Sequence, residues 1–137
     1  MTPALIFNRP ASAGKVHGKS IGPVVILPYD APPHLRAHEL KHVRQWWLAT
    51  ILSAFVLAAV SYAVPPLPYH IIGLSIGVYG ALYRLAWFRF RIEAAAYAVS
   101  AQIAPTEKKR FARALAAEYG TGRSAADATS AIDDRLR

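Results

Sequence analysis

His38-Glu39-Leu40-Lys41-His42 combines residue types and spacing that specify one chemistry, metal-assisted hydrolysis. Residues four apart share a helix face, so His38 and His42 can hold one metal ion between them. Glu39, beside the first ligand, can reach a water at the metal's open position and serve as its general base. The chain has no cysteine, which excludes disulfides and thiolate zinc sites. Any metal must be held by His and carboxylate, a donor set that suits a catalytic Zn2+.

A site of this kind needs a third ligand. The chain offers four glutamates, Glu39, Glu93, Glu107 and Glu118. Pro65-Pro66-Leu67-Pro68 must end a helix and turn the chain, because proline lacks the backbone donor and clashes with the preceding turn. A fold-back about the midpoint between residues 66 and 67 sets residue 40 opposite residue 93. Glu93 then arrives level with the His38–His42 turn. The competing roles are plain ones: an exposed Glu93–Arg89 pair of little energetic value, and two solvated histidines. His34, His17 and His70 are weaker candidates, and Asp30 is a guess for an acceptor behind the ligand histidines.

The elements that position these residues read as α+β, mostly α, in one domain of 137 residues. Residues 1–33 read as short strands and turns, with Ala4–Phe7 and Val24–Leu27 the β-rich runs. Residues 34–64 read as the motif helix running into a first hydrophobic helix, with Pro32-Pro33 at its start. Residues 69–102 read as a second hydrophobic helix that carries Glu93 and ends before Pro105. Residues 106–137 read as C-terminal helices. Thr106 is the expected cap of the first of these, with Phe111, Leu115 and Tyr119 as its apolar stripe and Gly120 as its stop. Ser124 and Asp127 form the expected capping box of the last.

Charge and hydropathy set the surroundings. The net charge is +8, yet no formally charged residue lies between Gln45 and Arg84. Sixteen of the nineteen residues from Trp46 to Val64 are apolar, and the others are small hydroxyls. A membrane crossing needs about 20 such residues. Trp46, Trp47, Tyr69, Trp87 and Phe88 stand near the block ends, and the basic residues flank only the hairpin's open end, which puts both termini on the cytoplasmic side. The alternatives are a soluble cytoplasmic or virion protein with buried helices, or a homo-oligomer that hides the hairpin, where Gly73 and Gly77 would allow close approach. Nucleic acid is not the expected partner, since Lys108-Lys109-Arg110 is a short run at a helix start.

The runs from His38 to Gln45 (H-E-x-x-H-x-x-Q) and from Arg91 to Ala98 (Glu93 followed by small residues and Tyr97) resemble those of the minigluzincins, small zinc metallopeptidases of bacteria and their phages. The resemblance covers residues of about 20–100, and the hydrophobic interval is closer to membrane-embedded M48-type peptidases. It implies His38, His42 and Glu93 as zinc ligands, Glu39 as general base, and a peptide or protein substrate. It also implies that the strand Gly22–Leu27 lines the cleft rim and takes substrate in extended form. Tyr97, one turn after Glu93, is the residue offered as a donor to the oxyanion. The alternative function is a non-enzymatic membrane or virion structural protein with a residual or structural metal site.

Overall fold

The structure is a computed structural model that describes residues 3–10, 18–64, 69–119 and 122–137. The expectations for His17, the Pro65–Pro68 turn and Gly120 lie outside these residues. Three short strands precede the helices: β1 (Leu5–Arg9), β2 (Lys19–Ile21) and β3 (Val24–Pro28). β3 is central, parallel to β1 and antiparallel to β2. Gly22, at φ +57, supplies the left-handed backbone that the tight β2–β3 turn requires. A Cβ there would also stand 3.4 Å from the Trp46 ring. Val25 and Leu27 alternate onto one face of β3 and bury themselves against Val43, Leu35 and Leu40 of the first helix.

That helix, α1 (Pro33–Ala63), runs unbroken for 31 residues. Pro33 occupies its first position, where a missing N–H costs nothing. The N-terminal part of α1 is half a core helix, with His38, Glu39, His42 and Val43 buried. Its remainder is different. Leu48, Ile51, Leu52, Phe55 and Val56 are exposed, whereas Ser61 is buried and Ser53 donates to the Ser75 carbonyl on the returning segment. On this part of α1 several large apolar side chains face outward while Ser61 is buried. α1 is long and apolar enough to cross a membrane, and only 11% of its most apolar window is buried within the chain. The core helix of a soluble protein would be mostly covered.

The second hydrophobic helix expected over 69–102 is not one helix. It divides into a 3-10 segment (Tyr69–Leu74), α2 (Ser75–Tyr83) and α3 (Ala86–Ile103), with a bend of 91° at Arg84–Leu85. Leu85 is extended there, at φ −78 and ψ 121. Arg89 compensates the break: its Nε donates to the Tyr83 carbonyl, which the interrupted helix leaves free, and its Nη1 to the Tyr119 carbonyl. Arg89 is thereby engaged with backbone, not with Glu93.

α3 is rich in alanine, and Ala94, Ala95, Ala96, Ala98 and Ala101 are all buried. Small side chains on several faces let α1 and the C-terminal helices approach it closely. After a 3-10 turn (Pro105–Glu107) come α4 (Lys108–Glu118) and α5 (Ala125–Asp133). No side-chain cap starts α4; Thr106 lies inside the 3-10 turn, and Glu107 takes the cap position. The Ser124–Asp127 capping box is present. Phe111, Leu115, Ala128 and Ile132 close a second core over α3, and Lys108 pairs with Asp133 at 2.9 Å.

Candidate metal centre

His38, Glu39 and His42 lie one to two turns inside the start of α1, where the helix is covered by the sheet on one side and α3 on the other. His38 and His42 fall on one face because they are four residues apart, and their Nε2 atoms stand 3.2 Å from each other. Glu93 projects from α3 and places Oε2 3.4 Å from each of these nitrogens. All three side chains are buried, and Glu93 is only 2% exposed.

The three donor atoms stand close enough together to hold one metal ion. Ligands about 2.0–2.1 Å from a tetrahedral zinc lie about 3.3–3.4 Å apart, and the separations here are 3.2, 3.4 and 3.4 Å. The hydrogen bonding points the same way. Glu93 Oε1 accepts from the Tyr83 hydroxyl, but Oε2 is a buried oxygen without a hydrogen-bond donor. His42 Nδ1 is 3.0 Å from Gln45 Oε1, and Gln45 Nε2 donates to the Ile92 carbonyl at 3.1 Å. With the amide nitrogen committed to Ile92, the amide oxygen must accept, so His42 carries its proton on Nδ1 and presents a bare Nε2. Three potential ligand atoms converge on one buried point, where a metal ion could be held.

Charge in the ion-free cluster follows from the same geometry. Burial opposes ionisation of Glu93, but the His38 and His42 rings 3.4 Å from its Oε2 outweigh it and hold the carboxyl well below the usual carboxylate range. For His42, burial favours the neutral ring, and the Glu93 carboxylate more than offsets it, so its pKa is raised.

A cleft of about 260 Å3 opens onto the cluster. Glu39 lines it with the ligands, and Lys19 and Ser20 of β2 form one wall, with Tyr79, Tyr83 and Tyr119 at another. Tyr97 does not line it: its ring packs on His38 at 4.5 Å and stacks on Phe111 at 5.7 Å, and its hydroxyl lies 3.4 Å from that of Tyr119. Tyr119, unlike Tyr97, is among the tyrosines that line the cleft. Burial, followed by the Glu93 charge, keeps it protonated and so a donor. The rim strand also differs from expectation. β3 has both edges paired, by β1 and β2, and cannot add a further strand. The strand at the cleft is β2.

The remaining expected residues stand apart. His34 packs on Phe111 at 5.5 Å, and its carbonyl accepts from Ser100. His70 and Asp30 are exposed and outside the cluster. Lys41 does not line the cleft. The position assigned to Asp30 is filled by Gln45, whose sequence signal is its place three residues after His42. Gly18 had no such signal. A Cβ on it would fall 2.7 Å from Glu39 Cγ and 2.8 Å from Oε1. Only glycine lets the β2 approach close over the Glu39 side chain.

Compared with protein-family models, curated proteins and solved structures, the chain matches none.

Proposed function

We propose that this protein is a zinc-dependent metallopeptidase of the gluzincin type, similar to the minigluzincins and set at a membrane surface. The observation that carries the reading is the buried triangle of His38 Nε2, His42 Nε2 and Glu93 Oε2, with sides of 3.2, 3.4 and 3.4 Å and with Oε2 lacking a hydrogen-bond partner. A zinc ion held by these three would supply Lewis acidity, lowering the pKa of a water and polarising a substrate carbonyl.

The chain's own residues supply the rest. Glu39 is the base that takes the water's proton and returns it to the leaving amine. The exposed edge of β2 presents Lys19 and Ser20 to an extended peptide, which would hydrogen-bond to it as an added strand. Tyr119 donates to the developing oxyanion. Gln45 fixes the His42 ring, tying the two ligand-bearing helices through Ile92.

The membrane setting rests on dimensions and on the outward-facing apolar side chains of α1. Residues 46–63 would span about 27 Å as α-helix, close to the hydrocarbon thickness of about 30 Å, and the return before Tyr79, over 69–78, would cover about 18 Å of it. Trp46 and Trp47 then sit at the interface one turn beyond His42, and both termini lie on the side that holds the cleft and the basic residues, the cytoplasmic side by the positive-inside rule.

Metal analysis and chelator-sensitive peptide cleavage test the proposal together. Wild type is expected to hold one zinc and to cleave, Glu39→Gln to hold zinc without cleaving, and His38→Ala/His42→Ala and Glu93→Ala to lose the metal. Full zinc retention by the double histidine variant would refute the ligand assignment. Zinc without turnover in wild type would favour a structural metal site in a non-enzymatic membrane or virion protein.

A further inference from the structure

A larger cavity, of about 880 Å3, lies between α3 and α5, away from the metal cluster. Its lining includes the apolar Leu85, Trp87 and Phe90 together with Arg91, Arg123 and Arg135. None of these three arginines forms an ion pair among the described residues. Arg123 lies instead over the Phe90 ring, 5.8 Å from its centroid. Two carboxylates border the groove, Asp127 and Asp134. Asp127 is engaged in the α5 cap, where its Oδ2 accepts from the Ser124 backbone at 3.0 Å and hydroxyl at 2.9 Å. Guanidinium groups thus outnumber the carboxylates free to oppose them.

Position names the occupant. Leu85 and Trp87 follow directly on the α2 end, where the returning hydrophobic segment finishes, and they are 45% and 59% exposed. The groove is therefore continuous with the hydrophobic hairpin at its open end.

We propose that the α3–α5 groove binds an anionic phospholipid, with its phosphodiester on Arg91, Arg123 and Arg135 and its glycerol and upper acyl carbons on Leu85, Trp87 and Phe90. Planar guanidinium forks match phosphate oxygens, and an apolar lining beside the hairpin suits a ligand with a polar and a greasy end. This rests on the membrane reading above but not on peptidase activity.

The test uses the full chain in nanodiscs of equal parts phosphatidylcholine and phosphatidylglycerol, with retained lipids counted by native mass spectrometry after gentle release. Wild type is expected to retain phosphatidylglycerol several-fold over phosphatidylcholine. The Arg91→Gln/Arg123→Gln/Arg135→Gln variant is expected to lose that preference while keeping its zinc content and thermal midpoint. Arg113→Gln, outside the groove, is expected to keep it. Retention of the two lipids in the bulk ratio by wild type, with the protein resisting alkaline wash from membranes, would overturn the groove alone. Release of the protein by that wash would overturn the membrane reading itself. Displacement of the lipid by soluble glycerol phosphate would reassign the groove to a free phosphate ligand and so refute the lipid proposal.

Discussion

Gly18→Ala is the most searching single change, because it touches the proposed general base and leaves every proposed metal ligand alone. The new methyl would stand 2.7 Å from Glu39 Cγ, 2.8 Å from its Oε1 and 3.0 Å from Leu27 Cδ2. Ordinary contact begins at about 3.4–4 Å, so the carboxylate must move by about 0.7–1 Å. Glu39 is flexible enough to yield, and the fold survives. A displacement of about 1 Å in a reacting group costs up to about 100-fold in rate. The expected result is a fall in kcat of about 10–100-fold, or about 1.4–2.7 kcal/mol in activation free energy. Zinc content and KM should stay near wild type. Steady-state kinetics on a quenched peptide, with metal analysis of the same sample, separates these effects. Unchanged kcat would refute the idea that the β2 approach positions Glu39, and loss of zinc would show that the damage is to the fold instead.

Three further predictions follow from other parts of the structure. Gln45→Leu removes the acceptor for His42 Nδ1 and should weaken metal affinity about 10–100-fold, with Gln45→Glu restoring part of it; competition with a chelating dye measures both, and unaltered affinity in Gln45→Leu would remove the positioning role. Phe55→Arg, at a site 73% exposed, should cost little if water surrounds α1; if lipid does, it should oppose insertion by about 2.5–3.5 kcal/mol and lower the fraction that resists alkaline wash. The metal-free protein should be most stable between about pH 4.5 and 6.5. The raised His42 pKa gives stability that is full below about 6.5 and fades as pH rises through the folded value. The lowered Glu93 pKa gives stability that is full above about 4.5 and fades as pH falls through the folded value. Thermal midpoints in chelator across pH 4–9 check this, and a midpoint that climbs steadily above pH 6.5 would contradict it.

Much of the site was legible because its chemistry is local. His38 and His42 converge through helix geometry alone, and Glu39 must lie beside them. The strands at Leu5 and Val24, the proline start of α1 and the Ser124–Asp127 box follow from residue preferences within a few positions. Glu93 was reached by folding a straight hairpin, but the chain takes another path. Tyr79 and Tyr83 of α2 already reach the level of His42 and Gln45, at 3.4–3.5 Å for the Tyr79 hydroxyl. The chain then bends by 91° and returns along α3 to deliver Glu93. No proline marks that bend. It is held by Arg89, whose two carbonyl partners lie six and thirty residues away.

The sequence by itself named the residues that could hold a metal and the stretch long and apolar enough to cross a membrane. Those properties depend on residue chemistry and on neighbours within one helical turn. Tertiary structure alone decided what surrounds them: that Tyr119 and not Tyr97 lines the cleft, that β2 and not β3 is its rim, and that Gln45 and Gly18 hold His42 and Glu39 in place. Each depends on contacts between segments far apart in the chain, where a shift of an ångström separates a ligand from a bystander. The pattern of His38, Glu39 and His42 names a chemistry, and the packing of α3 and β2 against α1 gives it a geometry.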